Sequence, residues 1–153
     1  MESVVNLLLI CHANVCRSRI AESVFLRLLP QSRGMSIQSA GLAAASGVAI
    51  HPIAHKVLSA RGYTVPSEPR SVRLTMPMVQ WADLILVMET VQRKELLRRY
   101  PFAAGKVWLL GHWLGQEVAD PVGGDEQMFE TTLTLIESGA RGWQPALALQ
   151  HAL

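Results

Sequence analysis

Cysteine is nearly absent from this chain: 153 residues contain two, Cys11 and Cys16. So small a number excludes the disulfide framework of a small secreted scaffold. Nor can a four-ligand zinc pattern be assembled from two cysteines and the scattered His51, His55, His112 and His151, so neither a metal nor a cofactor is expected. His51 and His55, at i, i+4 spacing, read as a partly exposed pair rather than ligands. Strong charge is also missing. The net charge is +2, and the one basic cluster, Arg93, Lys94, Arg98 and Arg99, lies in a helical stretch beside Glu95 without interleaved aromatics. It reads as a solvated helix face, and no nucleic-acid partner is expected. No apolar run reaches membrane-spanning length, which argues against membrane insertion. No basic region followed by a small-residue cleavage site opens the chain, and the expected compartment is a reducing cytoplasm. Repeats, low-complexity tracts and linkers are lacking too, so residues 1–153 are expected to form one domain, with half of the residues hydrophobic.

What the chain does have is a regular alternation of strand-like and helix-like patterns. Residues 4–10, Val4-Val5-Asn6-Leu7-Leu8-Leu9-Ile10, read as a buried strand. A helix over 18–29 carries Ile20, Val24 and Leu28 at helical spacing and stops at Pro30. Met35–Ala40 is a second strand ended by Gly41, and Pro52–Arg61 a helix closed by Gly62. Residues 63–74 look irregular. A short helix over Met76–Trp81 leads into a strand over Leu84–Met88. A helix capped by Thr90 runs through Tyr100, Lys106–Leu110 is the fourth strand, and the last helix spans roughly Asp125–Trp143. This order implies an α/β fold: a three-layer αβα sandwich around a four-stranded parallel sheet, with a phosphate-binding loop after the first strand.

That loop is the octet Cys11-His12-Ala13-Asn14-Val15-Cys16-Arg17-Ser18. A strand, a short loop and a helix N-terminus make an anion cradle, because backbone N–H groups converge where the helix dipole favours negative charge. Cys11 at its base supplies a nucleophile, since a thiol in such a place ionises more readily than a free one. Arg17 supplies a planar fork that matches two phosphate oxygens, which lysine does not reproduce. Ser18 is placed to donate its hydroxyl to the thiolate and to help cap the helix. Asn14 is the loop residue best suited to a left-handed conformation, and its side chain can tie the loop together. C-x5-R alone is a weak signal; Ser18, the strand before and the helix after make it specific. Phosphoryl transfer to a thiolate then needs an acid for the leaving oxygen and a base for water. Asp120, in the loop after the fourth strand and stiffened by Pro121, is the candidate, while Asp125 and Glu126 read as first-turn helix acids.

The octet, Ser39-Ala40-Gly41, Asp83–Met88 and Asp120-Pro121 occur in order along nearly the whole chain and resemble the low-molecular-weight protein tyrosine phosphatase family. Gly111-His112-Trp113 and the C-terminal helix are most similar to its bacterial branch, which works with tyrosine autokinases of exopolysaccharide export. The resemblance implies a cysteinyl-phosphate mechanism with Cys11 as nucleophile, Arg17 as phosphate clamp and Asp120 as acid and base. Residues 12–18 (His12, Ala13, Asn14, Val15, Cys16, Arg17, Ser18) then bind phosphate; Asn14, Ser18 and Ser39 support the loop; and Cys16 is a reversible redox partner that protects Cys11 from over-oxidation. A tyrosine-phosphorylated protein would be the partner. Four departures stand out: Ala13 where the family usually has glycine, Arg19 where it usually has proline, Val122-Gly123-Gly124 where an aromatic ring wall is common, and Leu42-Ala43-Ala44-Ala45 where a second is. His12 or Leu42 is left to wall the pocket, and Arg70 or Arg73 to fill the family's His-x-x-Arg place within Ser67–Leu74. Two alternatives remain: an arsenate reductase on the same fold, for which no cysteine follows Cys16, and a phosphate-binding regulatory module with weak catalysis.

Overall fold

A computed structural model of the chain describes residues 5–29, 35–65 and 68–152, with backbone alone for 148–152. Four strands and five helices carry the fold: β1 Val5–Cys11, α1 Arg17–Leu28, β2 Met35–Gly41, α2 Pro52–Ala60, α3 Met76–Trp81, β3 Leu84–Val87, α4 Thr90–Arg99, β4 Val107–Leu109 and α5 Glu126–Ala152. The strands pair in parallel in the order β2-β1-β3-β4, with Leu9 opposite Ser39 and Leu86, and Cys11 opposite Gly41. The expected αβα sandwich is therefore what forms. Because side chains alternate along a strand, Leu7, Leu9 and Cys11 pack with α1, α2 and α5, while Leu8 and Ile10 pack with α3 and α4. β1 is flanked on both sides, and the chain turns to β2 on one flank and to β3 on the other. In open α/β sheets that point of reversal is where ligands bind, beyond the carboxyl ends of the strands.

Several element ends differ from expectation. Val4, Pro30, Pro66 and Ser67 lie outside the described residues. Helix α4 is capped by Glu89 rather than Thr90, with the Gln92 side-chain oxygen accepting from the N–H groups of Met88 (2.9 Å) and Glu89 (3.0 Å). Ser18 does not cap α1: Cys16 holds that position, and the Ser18 hydroxyl is turned towards Cys11. Helix α5 continues through Pro145 to Ala152 rather than ending near Trp143. Trp143 donates its indole N–H to the carbonyls of Leu109 and Leu110, and Leu147 is core, so tertiary packing outweighs the proline. Three of the four basic residues of α4 are engaged, Arg98 and Arg99 with Glu95 and Arg93 with the Val107 carbonyl. His51 caps α2 by accepting from the Ile53 N–H and stacks on Phe129.

Helix α1 is unlike the others. Every residue from Arg17 to Phe25 is buried, including Arg17, Ser18, Arg19, Glu22 and Ser23. Polar groups are buried where they have partners, and those partners surround the loop between β1 and α1.

Candidate active site

The loop from His12 to Cys16 is shaped by its own carbonyls. Those of Cys11, His12, Val15 and Cys16 accept from the N–H groups of Leu42, Ala43, His51 and Ile20 at 2.7–3.0 Å. With the carbonyls tied outward, the loop offers its N–H groups to an anion. Asn14 adopts φ 57°, and among the described residues it is the one non-glycine with positive φ. Ala13 therefore needs no left-handed conformation and suits the place where the family usually has glycine. Gly41, across from Cys11, is where β2 touches the loop: a Cβ there would lie 2.7 Å from the His12 carbonyl oxygen and 2.8 Å from the Asn14 nitrogen.

A chain of hydrogen bonds ends on Cys11 Sγ. Asn14 Oδ1 accepts from the Val72 N–H at 2.9 Å, which fixes the amide orientation and leaves Nδ2 as donor. Nδ2 donates to Ser18 Oγ (2.8 Å) and to Ser39 Oγ (3.0 Å). The Ser39 hydroxyl proton goes to Glu22 Oε1 at 2.7 Å. Ser18 Oγ already accepts, so its own proton is free for Cys11 Sγ, 2.9 Å away. The Asn14 N–H also points at Sγ, at 3.3 Å. Two donors are thus aimed at one buried sulfur.

Arg17, 3% exposed, lies beside this sulfur. Its Nη1 donates to Glu89 Oε1 (2.5 Å) and to the Val118 carbonyl (2.8 Å), while Nη2 stands 3.9 Å from Asp120 Oδ2. Asp120 is half exposed, and its Oδ1 accepts from the Val122 N–H at 3.0 Å, a side-chain turn that leaves Oδ2 facing the pocket. Cys11, His12, Ala13, Val15, Cys16, Arg17, Asp120 and Val122 line that pocket together. Both cysteines are free thiols. Burial, then the charges of Cys11 and Asp120, push the Cys16 thiol up to about 12, so it stays protonated beside its neighbour.

Leu42 does not wall the pocket. It is 3% exposed and sits in the core against α3 and α4, because the residue after Gly41 continues the inward alternation of β2. Exposed His12 and Val122 form the rim instead. Arg70 meets Glu22, Nη2 to Oε2 at 2.9 Å, whereas Arg73 forms a strand-like backbone bridge to Gly41. Glu126 is the first-turn acid of α5, whereas Asp125 stands just ahead of the helix and accepts from the Met128 N–H, as a helix N-cap does. Two residues were not singled out in the sequence. Glu22 lies one helical turn beyond Ser18, a spacing that puts both on one face of α1. Glu89 follows β3 directly, at the edge of the sheet where ligands bind.

The chain also matches known proteins. The family model described as "Low molecular weight phosphotyrosine protein phosphatase" covers residues 6–152. The probable low molecular weight protein-tyrosine-phosphatase EpsP of Ralstonia nicotianae is 37% identical over 141 residues, 92% of this chain and 94% of that protein. Among solved structures, the tyrosine phosphatase AmsI of Erwinia amylovora superposes with a TM-score of 0.87 at 34% identity, covering 94% of this chain and 93% of that one. The arginine phosphatase YwlE of Geobacillus stearothermophilus gives 0.86 at 26% identity, with 95% and 94% covered.

Proposed function

Because the chain belongs to the low molecular weight phosphotyrosine protein phosphatase family, we propose that it is a cysteine-dependent protein tyrosine phosphatase. The observation that carries this reading is the pocket itself: one buried sulfur with two donors aimed at it, a guanidinium beside it and a carboxylate across it. The phosphate sits on the loop N–H groups and the free edge of Arg17, while Glu89 and the Val118 carbonyl hold the other edge. Cys11 Sγ attacks phosphorus in line with the ester oxygen. The P–O bond breaks, and the leaving oxygen takes the proton of Asp120, giving cysteinyl-phosphate and the free alcohol. Asp120, now a carboxylate, removes a proton from water. The hydroxide attacks phosphorus, the S–P bond breaks, and inorganic phosphate leaves with the thiolate restored. Asn14, Ser18 and Ser39 hold the loop through this cycle. Once a peroxide has oxidised Cys11 to the sulfenic acid, Cys16, which lines the same pocket, gives up its proton and attacks that sulfur, so that a disulfide closes with loss of water and a thiol reductant reopens it.

The proposed substrate is a tyrosine-phosphorylated protein, and the resemblance of Gly111-His112-Trp113 and α5 to the bacterial branch supports a tyrosine autokinase of exopolysaccharide export. No described helix is long and apolar enough to cross a membrane. Arsenate reduction is set aside, since the family is one of phosphatases. A second reading, phosphoarginine, draws on the YwlE likeness and on a pocket lining free of Phe, Tyr and Trp. Release of phosphate from a phosphotyrosine peptide and from free phosphoarginine separates the two. The tyrosine reading expects the peptide to be preferred and turnover to vanish in Cys11→Ser. Preference for phosphoarginine would reverse the substrate assignment, and no turnover of either would leave a binding module.

A further inference from the structure

Arg19 has no part in the chemistry so far, yet it is the most anomalous polar residue described. Its side chain is 2% exposed, and neither Nη1 nor Nη2 has a hydrogen-bond partner among the described residues. Its nearest carboxylate oxygen, Glu22 Oε1, stands 4.0 Å from Nε. That oxygen already accepts from Ser39, and Arg70 occupies the other at 2.9 Å. One carboxylate thus faces two guanidiniums, and the cluster carries one surplus positive charge. A guanidinium does not discharge itself by losing a proton, and an unpaired buried charge is costly unless an opposite charge lies near.

On the reading of Cys11 as the attacking thiolate, that sulfur supplies the opposite charge. Arg19 stands two residues after Arg17 in the first turn of the helix that the loop opens. Burial and Arg70 lower its hold on its proton, while Glu22 and Cys11 raise it. Glu22, 4.0 Å from Arg19, accepts from Ser39, and Asn14 and Ser18 carry that chain of hydrogen bonds on to Cys11 Sγ. The charged and titratable groups around Cys11 are Arg17, Arg19 and Glu22 from α1, His12 and Cys16 from the loop, Glu89 ahead of α4, Asp120 ahead of α5, and Arg70 from the segment between α2 and α3. Arg17 is matched by Glu89 and Arg70 by Glu22. Arg19 is the cation left over.

We propose that Arg19 is a positioning residue for the phosphate-loop reaction, a fixed buried charge beside the Glu22–Ser39–Asn14–Ser18 chain that holds Cys11 as thiolate. This rests on the reading of Cys11 as nucleophile, which alkylation of the unaltered protein tests separately: Cys11 should react with iodoacetate at pH 6, and phosphate should protect it.

The test of Arg19 compares Cys11 alkylation rates at pH 6 and pH 9, read by mass spectrometry of the Cys11 peptide, in three variants. Arg19→Met removes the charge and keeps most of the bulk. Arg19→Pro removes it in a second way, and proline is tolerated in a first helical turn because its missing N–H is one the helix leaves unpaired. Arg19→Lys keeps a charge. We expect Arg19→Met and Arg19→Pro to react about three- to tenfold more slowly at pH 6, with the gap closing at pH 9, where the thiol ionises unaided. Arg19→Lys should stay within about twofold of the parent. Parental rates at pH 6 in Met and Pro variants would overturn the proposal. So would a gap that persists at pH 9, which signals a damaged loop, or a lysine variant as slow as methionine, which signals shape rather than charge. If the unaltered protein itself shows no protected, reactive Cys11, the nucleophile assignment fails rather than the role of Arg19.

Discussion

The base and the rim of the pocket are built by opposite rules. At the base, Asn14 and Ser18 are fully buried, and every polar atom from Glu22 to Cys11 has its direction set by the next. At the rim, Asp120 is half exposed and Val122 nearly so, His12 faces solvent, and one side-chain turn is the main restraint on Asp120. A buried network in which each donor has one acceptor tolerates little change, because a single unsatisfied member costs about 1–3 kcal/mol. An exposed rim bears substitution cheaply. On the proposed mechanism the difference separates two tasks: the base decides whether phosphate is bound and attacked, and the rim decides which ester is brought to it.

Four substitutions break or sharpen that division. Cys11→Ser at the base should lower turnover of every phosphate ester by about 10⁴-fold or more, as loss of a nucleophile does, while inorganic phosphate still binds by calorimetry. Asp120→Asn at the rim should slow phenyl-type esters by about 10²–10⁴-fold, and the loss should shrink for esters whose leaving group needs no proton. A uniform loss in kcat/KM, which reports attack on the ester and not the later attack of water, would move Asp120 into the base. Glu89→Gln weakens the charged grip on Arg17 and should lower kcat/KM about tenfold, with phosphate inhibition weakened in parallel. An unchanged inhibition constant would mean that the Val118 carbonyl suffices to orient the clamp. Val122→Tyr adds a ring beside Asp120-Pro121. It should lower KM for aryl phosphates roughly three- to tenfold with kcat nearly unchanged; an unchanged KM would mean that His12 already walls the pocket.

The same division marks what could be read from the residues alone. The cradle was legible because it is local: Cys11, Asn14, Arg17 and Ser18 lie within eight residues, and the strand and helix around them have clear periods. The sheet was legible too, since short apolar runs alternating with helical patterns admit few topologies. Glu89 was not, because its pairing with Arg17 depends on β3 lying next to β1, 72 residues away in sequence. Arg19 is legible only as a departure from the family's usual proline, and nothing local says that α1 is buried on all sides through Phe25. Leu42 was offered as a ring substitute because it follows the turn; the strand's alternation carries it inward instead. Pro145 suggested an early stop that the packing of Trp143 and Leu147 overrides.

Gly41 bears on transplantation. The missing side chain lets β2 lie against the His12 and Asn14 backbone, and the two residues after it, Leu42 and Ala43, take the carbonyls of Cys11 and His12. The octet is therefore not a portable unit. Moved onto another parallel sheet, it would keep its shape only beside a neighbouring strand that ends in glycine and then offers two N–H groups in succession. What can be grafted is a larger block, residues 11–22 with 39–43 together with the N–H groups of His51 and Val72 that hold Val15 and Asn14. The segment 119–124 faces that block through the Asp120 side chain, and Val118 just before it holds Arg17 through its carbonyl, so libraries aimed at new esters belong at the remaining positions of 119–124, with Val118 and Asp120 kept.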